Sequence, residues 1–311
     1  MSRKVTIIGA GNVGATIAYT LSLGTIASEI VLIDINKEKV EGEVMDIVQG
    51  ASFREPISVV AGDYEDARDS HIVIITSGVG RKPGQTRIEL AQTNVNILKQ
   101  ITPQIVAVAP NALYVIVSNP VDIMTYVFTK ISGLPENQII GSGTVLDTAR
   151  LKYELAEHLE VDSRSIHAFI VGEHGDSEFV PWSQALLSTK RVIDICNEDN
   201  QYSIDELEKI SEQVRTSAYT IIKAKNATYY GIGMSMVRLT KAILGNENSV
   251  LTVSAKLTGE YGQNGVYVGI PCIIGRNGIG KILEIDLTEE EKEKFLASCK
   301  TLSDSYNEII N

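Results

Sequence analysis

Cysteine is scarce in this chain. Cys196, Cys272 and Cys299 are the only three, far apart and with no CxxC pair. An odd, sparse set excludes a disulfide framework and a cysteine zinc site and fits a reducing, cytoplasmic setting. Each is expected to be a small buried hydrophobe. Long apolar runs are also missing, since none approaches the length of about 18 residues that a membrane-spanning helix needs. Met1-Ser2-Arg3-Lys4 leads straight into Val5-Thr6-Ile7-Ile8-Gly9, a stretch too short and too glycine-interrupted to read as a secretory signal. Positive charge is in deficit. Twenty-eight Lys and Arg against 39 Asp and Glu leave a net charge of -11, a field that repels nucleic acid and anionic membrane alike. There is no internal repeat, low-complexity segment or long linker.

What is present suits a folded core: 44% hydrophobic and 22% charged residues over 311 positions. At about 150 residues per domain, that length suggests two domains. The first half alternates helical patterns with short β-branched runs: Val5–Gly9, Ile30–Asp34, Ile57–Val60, Ile72–Thr76, Tyr114–Asn119 and Gln138–Ile140. These runs are apolar on both faces, as strands between two helix layers should be. The alternation predicts α/β architecture, a Rossmann-type doubly wound parallel sheet with right-handed crossovers. After residue 141 the character changes. Thr144 to Glu160 reads as a helix. Ser203 and Glu206 form a capping box opening another, with Ile204, Leu207, Ile210, Val214, Ala218 and Ile221 on one stripe. Val250–Leu257, Val266–Ile274 and Ile279–Ile285, separated by turns, predict an antiparallel meander. Thr288 and Glu291 cap a terminal helix whose core stripe is Phe295, Cys299, Leu302, Tyr306 and Ile309. The expected domains are thus 1–141, nucleotide-binding, and 142–311, an α+β catalytic unit.

Gly9-Ala10-Gly11-Asn12-Val13-Gly14 is a GxGxxG set between the first strand and the helical pattern 15–23. Alone the pattern is weak; its position makes it a phosphate-cradling turn. Gly9 permits the tight turn, Gly11 lets backbone approach a pyrophosphate and Gly14 allows close helix–strand packing. The helix N-terminus adds N–H groups and partial positive charge. Asp34 ends the second strand, where a carboxylate can accept from both adenosine ribose hydroxyls. It would repel a 2′-phosphate, and Ile35 supplies no cation, so the expected cofactor is NAD rather than NADP.

Polar residues elsewhere group suggestively. Asp147 and Arg150 lie three apart on one helix, hence near one face. His174 sits in the glycine-flanked loop Gly172-Glu173-His174-Gly175-Asp176. Arg87 follows a loop, 78–86, containing three glycines. Each alone has an ordinary reading: a surface ion pair, a satisfied loop histidine, a solvent-facing arginine. Together they do not. His71, His158 and His167 have no such company, and His158 is expected to be exposed on its helix. No further ligands accompany His174, so no metal site is expected.

GAGNVG, SNP at 118–120, GSGTVLDTAR at 141–150, GEHGDSE at 172–178 and NATYYGIGM at 226–234 together resemble the NAD-dependent lactate and malate dehydrogenases over essentially the whole chain. The last three look like the lactate branch, as in bacterial L-lactate dehydrogenases of glycolysis and fermentation. The resemblance implies hydride transfer between NADH and a small 2-keto acid. It implies His174 as acid/base and Asp147 as its orienting carboxylate. Arg150 would take the substrate carboxylate as a bidentate pair, and Arg87 would polarise the carbonyl. It places Asn119 beside substrate and nicotinamide ribose, before a cis Asn119–Pro120 bond. Thr228 is expected to line the pocket, and Gly78, Asn12 and Val13 join the cofactor-binding set. The family it resembles forms dimers and tetramers; with about four residues before the first strand, the resemblance implies a homotetramer built without an N-terminal arm.

Two loop features depart from the lactate pattern: Gln85 replaces the acid common there, and Arg81 stands beside the substrate. At the Arg81 position lactate enzymes usually carry Gln, while malate enzymes carry Arg to pair with a second carboxylate. Closing Arg81 over a methyl group would bury an unpaired cation, unless it reaches solvent or another carboxylate. Against that, Glu173 beside His174 replaces the glycine typical of malate enzymes and is a poor neighbour for a dianion. L-lactate is therefore the first expectation and L-malate, with oxaloacetate as substrate, the alternative. Bacterial lactate dehydrogenases activated by fructose 1,6-bisphosphate use an Arg and a His at a subunit interface. The matching positions here are Lys152 and His167, and Lys lacks the bidentate phosphate grip, so either weakened activation or an ordinary interface pair is expected.

Overall fold

The computed structural model describes residues 3–80, 87–198 and 202–310; the segment 81–86, including Arg81, and the side chain of Arg87 lie outside the described residues. The first half runs β1 (Lys4–Ile8), α1 (Asn12–Ser22), β2 (Glu29–Ile33), α2 (Lys37–Gln49), β3 (Ser58–Ala61), β4 (Ile72–Ile75), α3 (Arg87–Val108), β5 (Leu113–Ile116), α4 (Val121–Ser132) and β6 (Ile139–Gly141). The second half runs α5 (Val145–His158), β7 (Ile166–His167), β8 (Leu186–Leu187), β9 (Lys190–Arg191), α6 (Val192–Glu198), α7 (Ile204–Lys225), α8 (Tyr230–Leu244), β10 (Ser249–Thr258), β11 (Asn264–Gly275), β12 (Gly278–Ile282) and α9 (Glu289–Ile310).

The β-branched runs form strands because both faces are covered. Ile7, Ile30, Leu32, Ile72, Ile74 and Ile75 are all fully buried, each worth about 1.5–3 kcal/mol of transfer free energy. The parallel strands lie in the order β3-β2-β1-β4-β5-β6. The order reverses direction between β1 and β4, and the crevice beyond their carboxyl ends is the place such sheets bind ligands.

The meander is antiparallel as expected, but it is not a separate sheet. β10 pairs with β6 through Ser254 opposite Gly141, so β12-β11-β10 extend the parallel sheet into one of nine strands among the described residues. A small three-stranded sheet, β7-β8-β9, stands apart. Its two-residue strands carry no alternation that a sequence pattern could show. β12 stops at Ile282, short of the expected Ile285, because the chain turns away there and Ile285 N–H donates to the Tyr261 hydroxyl instead.

Both capping boxes form. Glu206 N–H donates to Ser203 Oγ while Ser203 N–H donates to Glu206. Thr288 and Glu291 do the same, and Glu291 also accepts from the Ser183 backbone and hydroxyl. The α9 stripe Phe295, Cys299, Leu302, Tyr306 and Ile309 is buried. All three cysteines are free and buried. His158 departs from its expected exposure. Its side chain is 19% exposed, edge-on to Tyr202 and 3.7 Å from Glu206, because α5 packs against α7 at that edge. Among the described residues no helix is long and apolar enough to cross a membrane.

Candidate active site

The glycine-rich turn closes tightly over the end of β1. Gly9 has φ +109°, and its N–H donates to Ile33 carbonyl at 2.7 Å. A β-carbon on Gly14 would stand 1.8 Å from the Gly9 carbonyl oxygen, so only glycine permits this approach of α1 to the turn. Gly11 is the opposite case: a β-carbon there would meet nothing within 4 Å. Gly11 is the N-cap of α1, yet no side chain caps the helix. The first N–H groups of α1 therefore have no side-chain acceptor, a fit for an anionic pyrophosphate. Asn12 is exposed at the helix start, and Val13 is half-buried against the core.

Asp34 lies beside this turn. Its Oδ2 accepts from Ala10 N–H at 2.7 Å and its Oδ1 from Asn36 N–H at 3.0 Å. Those bonds fix the carboxylate at the strand end while leaving acceptor lone pairs for a diol. Ile35 is 98% exposed and brings no positive charge. Gly78 opens the loop after β4. Asn94 of α3 holds that loop in place: its Oδ1 accepts from Val79 N–H at 2.8 Å, and its Nδ2 donates to the carbonyl of Asn119 at 2.8 Å. Asn119 precedes a cis peptide bond to Pro120, at the mouth of the same crevice.

The second half contributes the titratable groups. Asp147 lies in the first turn of α5 and is 1% exposed. Its Oδ2 accepts from His174 Nδ1 at 2.6 Å, and its Oδ1 accepts from Arg150 Nη1 at 2.9 Å. One buried carboxylate thus ties the imidazole to the guanidinium. His174 Nε2 is left for a ligand, and Arg150 makes no other bond among the described residues. Burial opposes charge on His174, but Asp147 more than offsets it, and Glu178 and Asp122 add to the effect. The imidazole pKa is raised to about 10. Burial likewise works against the Asp147 charge, but His174 and Arg150 overcome it and hold that carboxyl below the usual range.

Three residues not singled out from the sequence complete this arrangement. Besides Asn94, Asp122 of α4 accepts the His174 backbone N–H at 2.8 Å and so fixes the loop. It is 2% exposed, and burial pushes its carboxyl up to about 6. Glu178 places Oε2 3.8 Å from His174 Nδ1. The sequence signal for Asp122 was its place two residues after the cis proline, at a helix start. Glu178 stood inside the quoted loop motif but had no spacing that marked it. Glu173 turns its carboxylate to the Ser177 hydroxyl, 2.5 Å away.

The remaining expected residues are placed as follows. Thr228 is half-buried in the link between α7 and α8. Lys152 of α5 is half-buried, its ammonium 6.0 Å from the centre of the Phe169 ring; burial lowers its pKa and Arg238 lowers it further. His167 is exposed on β7, which α5 packs against. Arg87 begins α3.

Comparison with known proteins identifies the family. Residues 3–141 match the lactate/malate dehydrogenase NAD binding domain, and residues 144–311 match the lactate/malate dehydrogenase alpha/beta C-terminal domain. The chain is 48% identical to L-lactate dehydrogenase 1 of Clostridium acetobutylicum over 308 residues, covering 99% of this chain and 98% of that one. It is 47% identical to L-lactate dehydrogenase 2 of Bacillus cereus, with the same coverage. Among solved structures, the ligand-bound minor L-lactate dehydrogenase of Enterococcus mundtii superimposes with a TM-score of 0.96 at 44% identity, covering 98% of each chain. MGS-M5, a lactate dehydrogenase from a deep-sea metagenome library, gives 0.97 at 42% identity, covering 100% of this chain and 99% of that one.

Proposed function

The chain belongs to the lactate/malate dehydrogenase family and is an NAD-dependent oxidoreductase, and from that premise we propose that it reduces pyruvate to L-lactate. The observation that carries the reading is the single buried carboxylate of Asp147 shared between His174 and Arg150. It couples a proton donor to a carboxylate anchor at a fixed distance, which is what a 2-keto acid requires.

NADH, when bound, supplies the hydride to C2 of the keto acid. The α1 N-terminus and the open space over Gly11 would hold its pyrophosphate, and Asp34 would hold its adenosine ribose. Arg150 pairs with the substrate carboxylate through the guanidinium N–H groups that Asp147 does not use. Protonated His174 donates its Nε2 proton to the ketone oxygen as the hydride arrives, and the neutral imidazole is reprotonated from water. Asp147 favours the imidazolium and sets the ring orientation. Arg87, carried over from the family pattern, polarises the carbonyl. Asn119 and Gly78 would hold the nicotinamide half, and Thr228 would line the pocket.

Pyruvate is preferred over oxaloacetate on charge. Asp122 and Asp147 already place negative charge beside His174, so a second substrate carboxylate enters an acidic neighbourhood. Curated relatives named L-lactate dehydrogenase support the same choice. Arg81 is the residue that favours malate. Measuring kcat/KM for pyruvate and oxaloacetate side by side decides between them, and a ratio favouring oxaloacetate overturns the lactate reading.

The finer features belong with this proposal. The chain divides functionally near residue 141 and acts in the cytoplasm as a homotetramer; sedimentation tests the assembly. Lys152 and His167 form a weakened fructose 1,6-bisphosphate site. If the bisphosphate leaves the pyruvate half-saturation unchanged, that part is wrong.

A further inference from the structure

The chemistry so far uses Asp147 as the sole partner of the His174 ring, but the structure gives that ring a second carboxylate. Glu178 is 7% exposed, and its Oε2 stands 3.8 Å from Nδ1. Oxygens of Asp147 and Glu178 and a ring nitrogen of His174 all lie within 4.8 Å of one another. Among the described residues the Glu178 carboxylate accepts no hydrogen bond. A buried acid left without a donor is costly to ionise. We propose that Glu178 is a positioning residue that acts through His174, its carboxylate beside Nδ1 helping to hold the imidazole protonated at alkaline pH. The inference rests on the dehydrogenase reading above for its consequence in turnover, though not for its effect on the ring.

The charges around Glu178 come from three directions. Asp147 and Arg150 face it from α5, Arg215 from α7, and His174 from its own loop. Asp122 reaches His174 from α4. Burial raises the Glu178 carboxyl, the Asp147 charge raises it further, and the three cations oppose; the result is about 8. Below that pH Glu178 is neutral, and Asp147 with Asp122 supports the imidazolium. As pH rises, the first proton lost to solvent comes from Glu178. The new negative charge beside Nδ1 then strengthens the hold on the ring proton, so His174 is the last to discharge. The pair titrates as a unit in which the acid shields the base from deprotonation. Pyruvate reduction needs the imidazolium, so its alkaline limit is extended. Lactate oxidation needs the neutral ring, so its onset is delayed to higher pH by the same amount.

The test is a pair of neutral variants, Glu178→Gln and Glu178→Ser, in the full chain. The imidazole of His174, one of four histidines, is followed by NMR with labelled histidine and no substrate present. Each neutral variant is expected to lower the His174 pKa by about one unit, the scale for a charge at this distance. Glu178→Asp, which keeps the charge, is expected to retain part of the elevation. The alkaline limb of kcat/KM for pyruvate should move to lower pH by the same interval. A merely structural Glu178 would lower activity at every pH and leave the limb in place. An unchanged His174 pKa in the neutral variants overturns the proposal. A shifted ring with no pyruvate turnover in the parent protein would instead overturn the lactate reading and leave this one standing.

Discussion

Gly14 and Gly11 stand three residues apart in one motif, and alanine should do opposite things at each. At Gly14 the added methyl lies 1.8 Å from the Gly9 carbonyl oxygen and 2.8 Å from Thr76 Oγ1. Neither neighbour can retreat cheaply. Gly9 is held through its N–H by Ile33, and its carbonyl accepts the Thr76 hydroxyl at 3.0 Å. Overpacking costs typically 1–3 kcal/mol, and backbone contact puts this case at the top, about 3 kcal/mol. For a chain this large that lowers Tm by about 6–12 °C. At Gly11 the methyl meets nothing, and the only penalty is alanine as an N-cap, about 0.5–1 kcal/mol. The same methyl fills the space assigned to pyrophosphate. Gly11→Ala should therefore melt within about 4 °C of the parent while its NADH dissociation constant rises at least about tenfold, a loss of about 1.4 kcal/mol. Thermal melts and NADH fluorescence titrations read the two effects separately. If Gly11→Ala bound NADH normally, the cradle would be in the wrong place.

Three shorter predictions address the chemistry. His174→Asn should abolish turnover while NADH binding persists, which titration against stopped activity will show. Asp147→Asn removes the group that raises His174 to about 10. Pyruvate reduction, full below the imidazole pKa and lost above it, should then fade at a pH nearer the ordinary histidine value, with kcat/KM down by about 10²–10⁴ at neutral pH; a pH–rate profile with an unmoved alkaline limb would contradict this. Asp34→Ala removes the acceptor at the β2 end and the charge that repels a 2′-phosphate, so the NADH to NADPH ratio of kcat/KM should fall by at least about tenfold, and a constant ratio would show that Asp34 does not face the ribose.

The nucleotide-binding half was legible because its physics is local. Ile7, Leu32 and Ile74 sit in runs apolar on both faces, and the GxGxxG spacing places its glycines at a turn. The pairing of Asp147 with Arg150 followed from helix geometry. The convergence with His174 did not: 27 residues separate the two, and only the folded loop closes that gap. Asp122 and Asn94 were opaque for the same reason, since each acts on a backbone group far along the chain, 52 and 25 residues away. His158 was misjudged because it lies three residues after the buried Leu155, at the edge rather than the outside of the helix. The junction of the two halves into one sheet was invisible because it rests on a contact between Gly141 and Ser254 that no periodicity announces.

That junction has a mechanical meaning. A β-carbon on Gly141 would sit 2.4 Å from Thr125 Oγ1 and 2.6 Å from Ser254 Cβ, so the seam is welded where a jaw would need an axle. The sheet that bears the glycine-rich turn also bears β11, whose Gly269 pairs with Gly172 at the foot of the His174 loop. Motion of one half against the other would have to break the pairing of β10 with β6, so any opening and closing falls to segments outside the sheet.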